Sequence, residues 1–124
     1  MASPNLISAN LILGKTTGMM LSNTAFSNVL NNAASSGKTF KVNTLNLTNR
    51  SGNTTAATIT WYANASLSGT TNVDIVSNVN IPAQSTLTVI DKGTQYYLEE
   101  NTSLGGITTS NGTVFVTVSY EDIS

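Results

Sequence analysis

Thr113-Val114-Phe115-Val116-Thr117-Val118-Ser119-Tyr120 is the stretch that decides the fold. Its period is two: Val114, Val116, Val118 and Tyr120 share one face, while Phe115, Thr117 and Ser119 share the other. Successive side chains of a strand point to opposite sides, so the segment reads as a strand with one face on a core. The same period recurs upstream. Val73, Ile75, Val79 and Ile81 fall on one parity, with Asp74, Asn78 and Asn80 opposite. Leu87 and Val89 alternate with Thr86, Thr88 and Ile90. In Thr58-Ile59-Thr60-Trp61-Tyr62, Ile59 and Trp61 point one way and Thr58, Thr60 and Tyr62 the other. Thr on the outward faces supports extended backbone, because branching at Cβ restricts χ1.

Phe40 to Leu47 changes phase. Phe40 and Val42 are even and Leu45 and Leu47 odd, which a bulge near Asn43-Thr44 reconciles. Leu11–Leu13 and Met19–Leu21 are expected to form an opening strand or pair of strands. Residues 22–34 carry helical spacing at Phe26, Val29 and Leu30. Asn28, Asn31 and Asn32 oppose a helix, so extended structure with at most one helical turn is expected. Arg50-Ser51-Gly52-Asn53, Leu67-Ser68-Gly69-Thr70, Asp91-Lys92-Gly93 and Asn111-Gly112 are turn signals. Asn111-Gly112 suits a tight hairpin between Ile107-Thr108-Thr109 and Val114-Phe115-Val116. Pro82 should end the strand before it. Short strands at this spacing without convincing helices indicate an all-β, single-domain antiparallel β-sandwich, of jelly-roll or immunoglobulin-like type, over residues 10–124. Residues 1–9 are expected to form an N-terminal arm.

Composition narrows the chemistry. The 124 residues contain no His and no Cys, and charged residues make up 9%. Ser, Thr and Asn fill roughly two fifths of the positions. There is no imidazole base, no thiolate, no Cys/His metal cluster and no disulfide. A chain of this length buries roughly two thirds of its unfolded surface, enough for one core without such supports. Five basic and six acidic residues give a net charge of −1. No basic stripe is present for phosphate contacts and no polybasic segment for a membrane surface, so neither nucleic acid nor membrane is an expected partner. Met1-Ala2-Ser3-Pro4-Asn5 lacks the basic and apolar regions of a signal peptide, and synthesis in a cytoplasm is expected.

Several short motifs need weighing. Gly14-Lys15-Thr16 and Gly37-Lys38-Thr39 repeat the end of a phosphate-binding loop. The first glycine of that motif would fall on Ala9 or Asn32, so both read as turns leading into strands. Glu99-Glu100 and Glu121-Asp122 are the acidic doublets. Neighbours on a strand face opposite ways, so neither doublet alone sets two carboxylates across a substrate, and no enzymatic activity is expected. Asp91, Glu99, Glu100 and Asn101 supply hard oxygens, but no calcium-loop spacing, and no cofactor is expected. Trp61-Tyr62 and Tyr96-Tyr97 offer rings for stacking on a sugar, with one ring of each doublet on the core and one outside. Trp61 is in phase with Ile59 and reads as core. Tyr62, Tyr96, Tyr97, Phe115 and Tyr120 are the candidate interface residues, since Tyr and Phe are enriched where subunits meet.

The second half carries Ile81-Pro82-Ala83-Gln84-Ser85-Thr86-Leu87-Thr88-Val89-Ile90, then Tyr97-Leu98-Glu99-Glu100-Asn101-Thr102-Ser103-Leu104, then Val116-Thr117-Val118-Ser119-Tyr120-Glu121-Asp122-Ile123-Ser124. The first half adds Ser36-Gly37-Lys38-Thr39-Phe40-Lys41-Val42-Asn43, Leu47-Thr48-Asn49 and the Ala57–Tyr62 segment. In this order they resemble the small β-sandwich virion structural proteins of tailed bacteriophages, especially those of marine and cyanobacterial phages, over roughly residues 10–124. Asn101 stands where such proteins often carry Gly after the acidic residue.

The resemblance implies a structural role in the particle, made in the host cytoplasm and localised to the virion. The expectation is a capsid decoration or cement subunit that binds the major capsid protein, as a homo-oligomer such as a trimer. A neck or tail accessory subunit is the alternative within this class. A carbohydrate-binding module is the alternative of another class.

Overall fold

The computed structural model describes residues 9–67 and 71–124. Leu67-Ser68-Gly69-Thr70 and the N-terminal arm therefore lie largely outside the described residues. Nine strands are present among those described: β1 (Ile12–Met20), β2 (Ser27–Asn32), β3 (Thr39–Asn49), β4 (Thr55–Tyr62), β5 (Asn72–Ile81), β6 (Thr86–Ile90), β7 (Tyr96–Leu98), β8 (Thr102–Thr108) and β9 (Val114–Ile123). They form two antiparallel sheets packed as a sandwich. One sheet has the order β1-β9-β3-β6, with β7 following β6 along the same edge of β3; the other has the order β2-β8-β4-β5. This interleaving of early and late strands, shared between two sheets, is the jelly-roll arrangement, with β7 as an addition.

The alternation of β9 sets the core. Val114, Val116 and Val118 are buried, and Tyr120 packs half-buried at the end of the same row. β3 lies beside β9 and adds Phe40, Val42, Leu45 and Leu47. Leu21, Ile59, Ile81, Ile90, Leu98 and Leu104 complete the cluster from both sheets. Each fully buried Leu or Ile of this kind contributes roughly 1.5–3 kcal/mol relative to exposure. The pairing of β3 with β9 slips between Val42 and Thr44, so Asn43 is the bulged residue. Phe40 and Val42 before it and Leu45 and Leu47 after it thereby all reach the core, as the phase change requires.

Three expectations change. Gly14-Lys15-Thr16 is not a turn but lies within one extended strand, β1, so of the two alternatives for Leu11–Leu13 and Met19–Leu21 the single strand is the one found. The hairpin at Asn111-Gly112 does not form: β8 and β9 lie in different sheets, so this segment crosses the sandwich. Gly112 does take φ +78° there. The strict parity of β5 also breaks. Two slips against β4 give β5 extra residues, Asn78 adopts φ +49°, and Val76 sits opposite Ile59. Pro82 ends β5 as expected.

Two buried asparagines tie the sheet corners. Asn49 Nδ2 donates to the carbonyls of Asn53 (2.7 Å), Ile81 (3.0 Å) and Pro82 (3.3 Å), and its Oδ1 accepts from Ser51 N–H at 3.0 Å. Asn32 Nδ2 donates to the carbonyls of Lys38 (2.8 Å) and Leu98 (2.9 Å), while Ser36 Oγ donates to its Oδ1. An amide carries donors and an acceptor on one short stem, which suits it to joining several chain segments at once. Part of the Asn richness is therefore structural.

Candidate functional site

β4, β5, β7 and β8 contribute to a concave feature of the described surface. A groove of about 440 Å³ is lined by Trp61, Val73, Asp74, Ile75, Tyr96, Tyr97, Glu99 and Thr102. Trp61 pairs with Val73 on one side and with the core residue Leu104 on the other, so its ring lies on the inner face of its sheet. It is only half-buried, because it packs against the rim of the core. The reading of Trp61 as a core residue thus holds for its orientation, while its exposed part lines the groove. Asp74 is engaged by Thr60, whose hydroxyl donates to Oδ1 at 2.6 Å.

The five candidate interface residues are dispersed. Tyr96 and Tyr97 are adjacent in β7 and are 37% and 47% exposed, so neither has the core position expected of one of them. β7 is three residues long and lies at a sheet edge, which leaves both rings open. Tyr62 points away from the core, as the alternation requires. It is nevertheless buried, because Phe26 packs edge-on at 6.1 Å and Leu67 covers the same side near Gly105. Burial, and then the charge of Asp74, push the Tyr62 hydroxyl above its ordinary pKa. Phe115 lies on the outer face of β9 beneath the Arg50 guanidinium, 4.7 Å from the ring centroid. Tyr120 packs on Phe40 with centroids 5.0 Å apart. Tyr62, Phe115 and Tyr120 are thus committed to contacts within the chain.

The acidic residues separate in the same way. Glu121 lies on one face of β9, where Asn43 Nδ2 donates to it at 3.1 Å and Lys41 is 3.8 Å away. Asp122, on the other face, is nearly buried and accepts from Lys15 at 2.8 Å and Lys38 at 3.3 Å. Burial pushes this carboxyl up, but the hydrogen bonds and charges of the two lysines outweigh it and hold its pKa below the ordinary value. Asp91 Oδ1 accepts from Gly93 N–H and Thr94 Oγ within its own turn. Asn101 Oδ1 accepts from Ala65 N–H, and its φ of +60° is the backbone conformation that a glycine would adopt freely. Among the described residues no three acidic side chains gather as a metal site.

A further surface was not legible as such in the sequence. Leu11, Ile12, Leu13 and Met20 are each 43% or more exposed, and they lie on or beside β1. Their exposure follows from the position of β1 at the end of its sheet; Leu11–Leu13 sit together, and Met20 lies at the far end of the strand. The signal available beforehand was a long, nearly uncharged first strand. Comparison with known proteins gives no matching family model and no matching curated relative.

Proposed function

We propose that this chain is a structural subunit of a tailed-phage particle, and within that class a capsid decoration or cement subunit. The supporting observation is where the large apolar groups sit. Exposed apolar side chains scattered singly are ordinary, whereas clustered ones mark interaction sites. Here Leu11, Ile12 and Leu13 are consecutive at the start of β1 and Tyr96 and Tyr97 are consecutive in β7, both at sheet edges; Met20 and Phe26 are exposed elsewhere, and Val73 lines the groove beside the two tyrosines. The ordered sequence motifs point to the same class. In this reading the sandwich is a rigid body whose function is contact energy, and each copy bridges neighbouring shell subunits. Repetition over a symmetric shell multiplies a modest single contact through avidity. A neck or tail accessory subunit uses the same surfaces in a ring. The test is co-sedimentation of the purified chain with particles lacking it. Saturable binding that raises the temperature of shell opening supports the proposal, and absence of binding rejects it.

The groove favours a second reading, a carbohydrate-binding module. Trp61, Tyr96 and Tyr97 provide apolar rings, and Glu99, Asp74 and Thr102 provide polar groups beside them. Glycan-array binding that is lost in Trp61→Ala and Tyr97→Ala would support this function. A flat glycan profile combined with particle binding would reject it.

A further inference from the structure

We infer that β1 is a self-pairing edge: two copies of this chain join antiparallel through β1, across a two-fold axis at Thr16. This inference stands on backbone geometry and is independent of the particle reading.

The first observation is that β1 is an unguarded edge among the described residues. Exposed strand edges are commonly blunted by bulges, by shortness, by Pro or by charge. Among the described residues, β2, β6 and β5 each show a register slip against their neighbour, and β7 has three residues. β1 runs for nine residues against β9 without a slip. Almost all of its residues are exposed, so the strand overhangs the sandwich and leaves room for a neighbour on both faces. Its one charge, Lys15, turns to Asp122 of its own chain instead of guarding the edge.

The second observation is which backbone groups are free. Leu11 and Ser124 exchange both backbone hydrogen bonds, and Leu21 N–H bonds the Val114 carbonyl. In an antiparallel ladder inward and outward residues alternate. The odd residues of β1 therefore bond β9, and Ile12, Gly14, Thr16, Gly18 and Met20 present N–H and C=O to the side where no described residue pairs with them.

The third observation is that the strand is a palindrome in residue class. An isologous contact must be self-complementary. With the axis at Thr16, Ile12 meets Met20 of the second copy, Gly14 meets Gly18, and Thr16 meets Thr16. On the other face Leu13 meets Met19, and Lys15 meets Thr17. Every outward backbone group from Ile12 to Met20 finds a partner. Apolar residues meet apolar ones at both ends, and the central Thr–Thr pair is a favourable cross-strand pair. No lysine sits directly opposite a lysine. The result is a two-fold pair in which two sheets become one continuous sheet, in place of the trimer expected above.

The test uses the full chain. Sedimentation equilibrium should give a species of twice the 13.0 kDa chain mass. Thr16→Lys and Thr16→Glu each place like charges on the axis, and self-association should weaken at least about ten-fold, the size of 1.4 kcal/mol. Mixing the two variants should restore a heterodimer. Hydrogen exchange on the unmodified chain supplies a reading that needs no variant: the Gly14, Thr16 and Gly18 amides should gain protection as protein concentration rises. A wild-type monomer, a Thr16→Lys dimer of unchanged affinity, or no rescue on mixing would overturn the inference. Protection of these amides in a chain that sediments as a monomer would mean that the edge is covered within one chain, and would overturn it too.

Discussion

Lys15 Nζ on β1 and Asp122 Oδ2 on β9 lie 2.8 Å apart, and the same carboxylate oxygen holds Lys38 Nζ at 3.3 Å. One nearly buried carboxylate thus joins the first strand, the entrance of β3 and the last strand. Both lysines remain about two fifths exposed, so water screens their part of the interaction.

The sign of its pH dependence follows. The folded-state pKa of Asp122 lies below its ordinary value of 3.8. Its stabilisation is therefore complete above that value and is lost as pH falls through the lower, folded-state one. Asp122→Asn should lower stability near neutral pH by about 1–2 kcal/mol, between an exposed and a buried pair. Urea unfolding of both proteins across acidic pH checks this. The gap between them should close in strong acid.

Asn49 serves as a junction between β3, the 50–53 turn and the end of β5. Asn49→Ala strands several buried backbone groups and should cost about 2–3 kcal/mol. Asn49→Asp should cost at least as much, since it aims acceptor oxygens at the carbonyls of Asn53 and Ile81. Thermal unfolding of the two variants, read by circular dichroism, gives the order.

At Asn101 backbone and side chain can be separated. Asn101→Gly loses the bond to Ala65 N–H but keeps φ +60° free of strain, so its stability should stay within about 1 kcal/mol of the wild type. Asn101→Val should be clearly worse, because a β-branched residue resists this conformation. Denaturant midpoints that rank Val at or above Gly would contradict this account of the position.

Gly106 lies close against core side chains. A methyl there would lie 3.0 Å from both Ile59 Cδ1 and Leu21 Cδ2. Gly106→Ala should cost about 1–3 kcal/mol through overpacking. Gly52→Ala, where nothing lies within 4 Å, should be neutral or slightly stabilising. Chemical denaturation of the pair provides the comparison.

Much of the fold was legible in local alternation. Val114, Val116 and Val118 declared the core face, and the phase change at Phe40–Leu47 located the Asn43 bulge, because both are properties of single strands. The partner of each strand was not legible. Asn111-Gly112 has the residues of a hairpin turn, yet β8 and β9 belong to different sheets, and sheet membership is decided by packing over the whole chain. The surroundings of the aromatic candidates were not legible for a related reason. Alternation gives the direction of Tyr62, but only the fold shows Phe26 and Leu67 lying over it. The open edge of β1 was hidden likewise, since an edge is defined by the absence of a neighbour on one side.

The most direct measurement of the proposed role is a cryo-electron microscopy reconstruction of tailed-phage particles purified from the source of this chain. The account predicts two-sheet sandwich density on the outer capsid surface, seated across junctions between shell subunits. Density confined to the neck or tail would contradict the decoration role, and a particle without the chain would contradict the structural role altogether.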